Sequence, residues 1–344
     1  MGGSTRSEQV LRAAGRRYQG RVLHRLAAVL VVWGVLLVAV GGPGGSQLAH
    51  ASTVDPNAPR TAVCSATVHV DCTTRLYFPV GTLVRRAYVY VPPAAANGPI
   101  SMVVAVHGLR MTPRSLDDTI GLTALARREG FAVALPQGYG EADGRNGYQA
   151  GWNAGICCGP AARDQVDDVS MMQSTVTAAE TLFQNNGRVY YLGFSNGAML
   201  GYRLWCEGSS PFRAFVAVHG TLEEPSCAPA TTRPFLAIHG LRDTVVPYAG
   251  CTTAQRTTSC ARILFTDVTA GGTAVRELRA AAGCRGAVAH PYAPRGVTLS
   301  DSTGCASPGP THMTIPLATH DWVRDKLRYG VDETAQAWGF LARR

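Results

Sequence analysis

Short apolar segments alternate along the chain with longer stretches in which apolar positions recur every three or four residues. The short segments predict buried strands over 87–91, 101–107, 131–135, 189–192, 214–218 and 235–238. The longer stretches predict helices over 115–129, 166–183, 198–206, 273–282 and 333–341. Strands that are apolar throughout, rather than at every second position, are buried on both faces. The pattern therefore predicts an α/β fold with a mostly parallel, doubly wound sheet that helices cover on both sides.

The N-terminal residues have the pattern of a secretory signal peptide. Basic residues precede an apolar run over 27–40, and small residues follow up to a small-x-small site at Ala51. The alternative is an uncleaved membrane anchor, but the run is short for a bilayer and Gly-Gly-Pro-Gly-Gly follows it. Arg16-Arg17 leaves a twin-arginine export route open. We predict a signal peptide over 1–51, an N-terminal extension over 52–84 and one further domain over 85–344.

The charge of the chain gives little support for a nucleic-acid partner. The 344 residues carry a formal net charge of +9, but six arginines and one glutamate lie within residues 1–51. Cleavage lowers the net charge to +4. The remaining basic residues are scattered singly rather than interleaved with aromatic residues. We therefore expect no nucleic-acid binding, and no stable membrane association after cleavage.

All ten cysteines lie after residue 51. An even number confined to an exported segment indicates disulfides formed in an oxidising compartment. No C-x-x-C or His-x-x-x-His spacing indicates a zinc site, so we expect no metal. We expect local bridges between neighbours in the chain, namely Cys64–Cys72, Cys251–Cys260 and Cys284–Cys305. We expect the adjacent Cys157 and Cys158 to reach out separately to Cys206 and Cys227.

The segment Gly-Phe-Ser-Asn-Gly at 193–197 follows one predicted strand and precedes a predicted helix. This is the pattern of a sharp turn that presents a serine, Ser195, as a nucleophile. Gly193 and Gly197 fit such a turn because a Cβ at either position would collide with the facing strand or helix. With 38 glycines in the chain, the five-residue pattern alone has little weight. The strand and the helix around it carry the prediction.

A serine nucleophile needs a histidine that takes its proton and a carboxylate that orients the histidine. In doubly wound hydrolases the carboxylate and then the histidine follow the serine along the chain, each in a loop after a strand. Asp243 lies just after the predicted strand 235–238 and is the expected acid, with Asp267 as the alternative. His320 follows the apolar stretch 313–317 and is the expected base. Four other histidines are less suitably placed, namely His219, His239, His290 and His312.

Acyl transfer also needs two N–H donors directed at the developing oxyanion. One should be the backbone amide of Asn196, the residue immediately after the nucleophile. The other should come from the loop after the strand 101–107, and we assign it to Leu109. Gly108 and Arg110 are near alternatives, because the sequence does not specify which amide points inward.

An ordered set of further motifs surrounds these candidates. They are V-x-x-H-G within 103–108, G-F-A-V-A-L-P-Q-G at 130–138, C-C-G and V-D-D-V within 157–169, G-F-S-N-G-A-M at 193–199, H-G-x-x-D-x-V-V-P-Y at 239–248 and H-x-W at 320–322. As a set they resemble the secreted polyhydroxybutyrate-depolymerase-like esterases, which include feruloyl and acetylxylan esterases. The resemblance covers residues 85–344. Two departures are Leu109, where such depolymerases often have cysteine, and the histidine loop 318–323, which lacks the usual Gly-x-Gly-His-x-Trp-Pro pattern.

The resemblance implies an α/β-hydrolase fold and a Ser195–Asp243–His320 triad that needs neither a metal nor an organic cofactor. Trp152 and Trp322 are candidates for a wall on which an aromatic or sugar group of the substrate stacks, although buried packing is the commoner fate of tryptophan.

We therefore expect a secreted, monomeric serine esterase that hydrolyses carboxylic esters through an acyl-enzyme. Polyhydroxyalkanoate or other polyester oligomers, feruloyl esters and acetyl esters are all open as substrates. A peptidase of the same fold is disfavoured because the sequence indicates neither a propeller nor a lid domain. An alternative from another class is a non-catalytic secreted binding protein or antigen that retains the hydrolase fold.

Overall fold

A computed structural model describes residues 55–65, 67–140, 149–208, 210–255 and 267–344. The predicted signal peptide over 1–51 and the predicted disulfide partner Cys260 lie outside these residues. None of the helices in the described ranges has both the length and the apolar character that crossing a bilayer requires.

One sheet forms the centre of the described chain. Its strands are β1 Cys72–Val80, β2 Leu83–Val91, β3 Ile100–Val106, β4 Ala132–Pro136, β5 Asn185–Phe194, β6 Ala214–Val218, β7 Phe235–Gly240, β8 Gly286–Ala293, β9 Val297–Thr303 and β10 Pro310–Ile315. Their order across the sheet is β1-β2-β4-β3-β5-β6-β7-β10-β9-β8. The inner strands from β4 to β10 in this order all run parallel, whereas β1, β2, β9 and β8 pair antiparallel with their neighbours. The predicted mostly parallel sheet is confirmed.

Helices connect the parallel strands. In the described ranges they are α1 Pro113–Ile120, α2 Leu122–Glu129, α3 Gly159–Arg163, α4 Asp168–Ala179, α5 Asn196–Glu207, α6 Gly271–Ala281, α7 Lys326–Tyr329 and α8 Glu333–Leu341. The single helix that we predicted over 115–129 is two helices. Gly121 separates them because its φ of 65° lies in the left-handed region, which ends α1.

The sheet is buried on both faces, as the continuous apolar strands predict. Along β3, Met102 and Val104 point to a core that α4, α5 and α6 cover. Val103 and Ala105 point to the opposite core, against α1, α2 and α8. Each buried valine contributes about 1.5–3 kcal/mol relative to an exposed one. Two hydrophobic cores therefore hold the central strands in place, and with them the loops that follow these strands.

The antiparallel strands at the two edges of the sheet differ from the sequence prediction. The segment 52–84, which we predicted as an extension, contributes β1, and β1 pairs with β2 along its whole length. The hairpin of β8 and β9 was not predicted at all. The residues of β8 are exposed almost throughout, so this edge strand has neither a continuous nor an alternating apolar pattern.

The structure contains the predicted bridges Cys64–Cys72 and Cys284–Cys305. Cys251 is also disulfide-bonded, and its predicted partner Cys260 lies outside the described residues.

Our expectation for the other four cysteines was wrong. Cys157 and Cys158 are bonded to each other, and Cys206 is bonded to Cys227. Cys206 lies in the last turn of α5, where its Cα is 4.6 Å from that of Cys227 in the loop after β6. This is within the range in which two cysteines bridge without backbone movement. The bridge therefore ties α5 to the β6 loop rather than to the loop that carries Cys157.

The parallel strands place their carboxyl ends at one edge of the sheet. The loops that follow β3, β5, β6, β7 and β10 all begin there. In open α/β sheets this edge is where ligands bind. The candidate residues of the site lie in these loops.

Candidate active site

Ser195 lies on the sharp turn between β5 and α5. Its φ of 55° is in the left-handed region, which is uncommon for any residue except glycine. A Cβ on Gly193 would collide with the carbonyl oxygen of Gly197, and a Cβ on Gly197 would collide with that of Val106. Both glycines therefore have the role that the sequence predicts. The amide of Ser195 donates to the carbonyl oxygen of Val218 at 2.9 Å, which fixes the turn against β6.

A hydrogen-bonded chain joins the three predicted side chains. Nε2 of His320 lies 2.8 Å from Oγ of Ser195, and Nδ1 of His320 lies 2.7 Å from Oδ2 of Asp243. Ser195 and Asp243 are buried, with exposed fractions of 7% and 5%. The distances are those of strong hydrogen bonds. The fold thus brings together residues that lie in three separate loops.

Asp243 is held as an anion. Its Oδ1 accepts the amides of Val245 and Val246, each at 2.8 Å. Burial by itself raises the pKa of Asp243, but hydrogen bonds from the imidazoles of His239 and His320 outweigh burial and hold the pKa well below its ordinary value. The carboxylate is therefore charged at neutral pH and orients Nδ1–H of His320.

His320 is neutral at neutral pH. Burial lowers the pKa of its imidazole, and the hydrogen bond and charge of Asp243 oppose this effect only in part. A neutral imidazole with Nδ1–H directed at Asp243 has a lone pair on Nε2. The lone pair is directed at Oγ of Ser195, so His320 can take up the serine proton.

Two backbone amides next to Ser195 are free to bind an anion. Asn196 begins α5, and its amide has no protein acceptor among the described residues. The amide of Leu109 is likewise without an acceptor in the described ranges. Arg110 is unsuitable as the second donor, because its amide donates to the carbonyl oxygen of Ala150 at 2.7 Å. A Cβ on Gly108 would lie 3.1 Å from the Cβ of Ser195, so this loop borders the nucleophile.

Sequence reasoning missed the side chain of Asn196. Its Oδ1 accepts the amide of Trp152 at 2.7 Å, and its Nδ2 donates to the carbonyl oxygen of Trp152 at 3.0 Å. Asn153, the residue after Trp152, donates its backbone amide to Oδ2 of buried Asp168. The other carboxylate oxygen of Asp168, Oδ1, forms an ion pair with Arg85 at 2.8 Å. These contacts hold the loop between β4 and α3 against the nucleophile turn. Asn directly after the serine was the available sequence signal.

Trp152 and Trp322 do not form the stacking wall that we considered. Trp152 has no exposed surface, and its indole N–H donates to the carbonyl oxygen of His107 at 2.8 Å. Trp322 is 7% exposed, and its indole N–H donates to Oγ1 of Thr334 at 2.9 Å. Both rings pack in the interior, where their N–H groups need protein partners. Neither offers a ring face to a substrate.

The alternative acid and bases lie elsewhere or have other partners. Asp267 accepts the amide of Thr253, and His312 stacks on the ring of Tyr248. In the described ranges, three possible metal-ligand atoms lie close enough together to share an ion, one each on His219, His239 and Asp243. Protein groups already occupy them, since His239 contacts the carbonyl oxygen of Val246 and His219 accepts the amide of Gly240. These three side chains therefore fit a hydrogen-bond network better than a metal site.

A cavity of about 1390 Å³ opens near the loop between β4 and α3, and its lining contains none of Ser195, Asp243 and His320. Its wall includes the start of β2 and the residues after β4, so it lies at the same edge of the sheet as Ser195. Tyr77, Val84 and Ile156 line it with exposed apolar surface, and Gln165 adds a polar side chain. Gly159 belongs to the same wall, and a Cβ added to it would lie 3.1 Å from Cδ1 of Leu109. The cavity therefore adjoins the loop that we assign to the oxyanion.

Comparison with known proteins agrees with these observations. Residues 86–231 match the family model described as Esterase PHB depolymerase. The putative esterase NocK of Nocardia uniformis subsp. tsuyamanensis is 27% identical over 246 residues, which are 66% of this chain and 65% of that protein. The probable feruloyl esterase C of Aspergillus terreus is 26% identical over 153 residues, 42% of this chain and 50% of that protein. The chain spans less than two thirds of the length of either relative.

An acetyl xylan esterase from Aspergillus awamori has a similar fold. The match has a TM-score of 0.53 at 13% identity, and it covers 76% of this chain and 94% of that chain. At this identity the similarity concerns the fold alone. The α/β-hydrolase fold and the resemblance that the motifs indicate are thus both confirmed.

Proposed function

We propose that this chain, whose residues 86–231 match the esterase PHB depolymerase family, is a carboxylic ester hydrolase that works through an acyl-enzyme. The observation that carries the proposal is the hydrogen-bonded chain from Ser195 through His320 to Asp243. A nucleophile, a base and an orienting acid in this arrangement define acyl transfer by a serine.

In the first half-reaction, Oγ of Ser195 attacks the carbonyl carbon of the ester while Nε2 of His320 takes the serine proton. Asp243 stabilises the imidazolium that forms and keeps its orientation. The same proton then passes from His320 to the oxygen of the leaving alcohol as the C–O bond breaks. Ser195 is left as an ester of the acyl group.

In the second half-reaction, His320 removes a proton from water, and the resulting hydroxide attacks the acyl carbon. The proton returns to Oγ of Ser195 as the carboxylic acid leaves, so the free enzyme is restored. Each half-reaction passes through a tetrahedral oxyanion. The amides of Asn196 and Leu109 bind it, and each such donor contributes roughly 3 kcal/mol to transition-state stabilisation.

The substrates that we propose are esters whose acyl or alcohol part extends beyond the reacting bond. The cavity next to Leu109 supports this, because it offers both apolar side chains and polar groups at the same edge of the sheet. Polyester oligomers, feruloyl esters and acetylated sugars all fit this description. Rates on a panel of these three types, with purified mature protein, distinguish between them.

We further propose that the protein is a secreted monomer. Cysteine pairs at disulfide distance support an oxidising compartment. Size-exclusion chromatography with light scattering tests the monomer, and N-terminal sequencing of protein from the culture medium tests cleavage after Ala51.

A fluorophosphonate probe tests the central proposal. It should label the folded protein at Ser195, and labelling should disappear in Ser195→Ala and after heat denaturation. Asp267→Asn is the control variant, since Asp267 lies outside the hydrogen-bonded chain, and it should label normally. A folded protein that neither labels nor hydrolyses any ester would favour the non-catalytic binding protein.

A further inference from the structure

A second imidazole–carboxylate pair, His219 and Glu333, lies next to the pair formed by His320 and Asp243. Nε2 of His219 is 3.0 Å from Oε1 of Glu333. Neither side chain has any exposed surface, and the two atoms form a close ionic contact without the geometry of a hydrogen bond, to each other or to another described residue. Burying an ionisable pair is costly unless the two groups are held in good geometry. The reaction that we propose does not itself use this pair.

Glu333 holds the loop that carries His320. Its Oε2 accepts the amide of Val323 at 2.8 Å, and its own amide donates to the carbonyl oxygen of Val323 at the same distance. Val323 follows His320 by three residues. The next residue of α8, Thr334, accepts the indole N–H of Trp322. The first turn of α8 is therefore bonded three times to the segment directly after His320.

His219 connects Glu333 to the strands that precede Ser195 and Asp243, the other two residues of the hydrogen-bonded triad. It follows β6 directly, and its φ of 52° is in the left-handed region, which is sparsely populated for histidine. Its Nδ1 accepts the amide of Gly240 at 3.1 Å and lies 3.8 Å from Oδ2 of Asp243. In the neutral form, in which Nδ1 accepts, the imidazole carries its proton on Nε2, the nitrogen that lies 3.0 Å from Oε1 of Glu333.

The charges around His219 connect the two pairs electrostatically. Burial is the largest effect and opposes protonation of His219, but the contact with Glu333 and the nearby acids together outweigh burial and raise the pKa of the imidazole. Asp243 and Asp321 add to this effect. The rings of His239 and His320 lie 5.8 and 6.0 Å from that of His219. A change in charge at Glu333 therefore reaches His320 through His219, whose positive charge lowers the pKa of His320.

We propose that Glu333 is a positioning residue for His320, and that it acts through Val323 on the histidine loop and through His219 on the ends of β6 and β7. This rests on the proposed function of Ser195. A rigid loop keeps Nε2 of His320 at hydrogen-bond distance from Oγ of Ser195. A misplacement of about 1 Å at such a distance costs up to roughly a hundredfold in rate.

The test compares Glu333→Gln with Asp117→Asn. Asp117 is also a buried carboxylate, and it accepts the amide and hydroxyl of Thr123, but it has no contact with the histidine loop. With p-nitrophenyl butyrate, E333Q should lower kcat roughly 10- to 100-fold with little change in KM. Its acid limb should move to higher pH, because without the charge of Glu333 the pKa of His219 falls, and His219 loses the positive charge that lowers the pKa of His320. D117N should lose stability but keep both kcat and the pH profile.

If E333Q does not fold, substitutions of His219 test the role of the His219–Glu333 pair instead. His219→Gln keeps a donor for Glu333, whereas His219→Leu removes it. H219Q should therefore retain more kcat than H219L. Equal kcat in the two folded variants would overturn the role of the pair.

An NMR titration of His320 gives a readout that does not need activity. The pKa of His320 should be higher in E333Q than in the unsubstituted protein. Folded E333Q with unchanged kcat, pH profile and His320 titration would overturn the positioning role. If the unsubstituted protein neither hydrolyses esters nor reacts with the fluorophosphonate, the proposed function is overturned instead. The NMR titration would still decide whether Glu333 controls His320.

Discussion

The side chain of Asn196 forms two hydrogen bonds with the backbone of Trp152, one to its amide and one to its carbonyl oxygen. These two residues are 44 positions apart, and both are buried. The contact makes one residue serve two purposes. The backbone amide of Asn196 is a donor that we propose for the oxyanion, and its side chain holds the loop that carries Trp152.

Asn196→Ala separates these two purposes, because alanine keeps the backbone amide. We expect a loss of about 1–3 kcal/mol in the free energy of unfolding, since the amide and carbonyl of Trp152 are left buried and unpaired. We also expect a lower kcat, because the loop no longer supports Leu109. Urea denaturation and ester hydrolysis measure the two effects. The exposed Asn186→Ala is the control, and equal values for both variants would contradict the role of the clamp.

Asp243→Asn should abolish the proposed ester hydrolysis without unfolding the protein. The Oδ1 of asparagine still accepts the amides of Val245 and Val246, so the turn after β7 is kept. The new NH₂ group faces Nδ1 of His320 and forces the wrong tautomer, which lowers kcat by about four orders of magnitude in related triads. Steady-state kinetics and circular dichroism check this. Asp267→Asn should retain full activity, and the reverse ranking would assign the acid to Asp267.

The rate should fall on the acid side of neutrality as His320 becomes protonated. Because burial lowers the pKa of His320, the midpoint of the acid limb of kcat/KM should lie below the ordinary imidazole value of about 6.5. Above that midpoint the imidazole is neutral and the rate should be level. His290→Gln, at an exposed histidine, should leave the profile unchanged. A midpoint above the ordinary value would contradict the burial argument.

Gly193→Ala should destabilise the protein strongly. Its Cβ would meet the backbone of Gly197 in the turn that carries Ser195, and backbone atoms do not yield as a flexible side chain does. We expect a loss of about 3 kcal/mol or more in the free energy of unfolding. Gly286→Ala is the matched control, because a Cβ there has only an ordinary contact at 3.5 Å with Thr303. Thermal denaturation should show a large shift for the first variant and almost none for the second.

Glu223 should make the protein less stable as pH rises. It is 2% exposed, and among the described residues neither carboxyl oxygen forms a hydrogen bond of ordinary geometry. Burial raises its pKa from 4.5 to about 8, so the folded state binds more protons than the unfolded state between these values. Stability therefore falls as pH rises through this window and levels off above it. Glu223→Gln should flatten the decline in urea denaturation, and the exposed Glu277→Gln should not.

The sequence by itself determined the central sheet and the three residues of the proposed triad. Continuous apolar strands can only be buried on both faces, and Gly193 and Gly197 allow the turn that presents Ser195. Asp243 and His320 could be chosen because loops at the carboxyl ends of parallel strands meet at one edge. These signals are local, or they follow from a general rule of the fold.

Tertiary structure alone decided the contacts that depend on how distant elements pack. The pairing of Cys206 with Cys227 depends on where α5 ends relative to the β6 loop. The burial of Trp152 and its clamp by Asn196 depend on how the loop after β4 folds over the nucleophile turn. The pair of His219 and Glu333 joins residues more than a hundred positions apart. Such contacts result from three-dimensional packing of side chains, for which a linear pattern of apolar and polar positions has no signal.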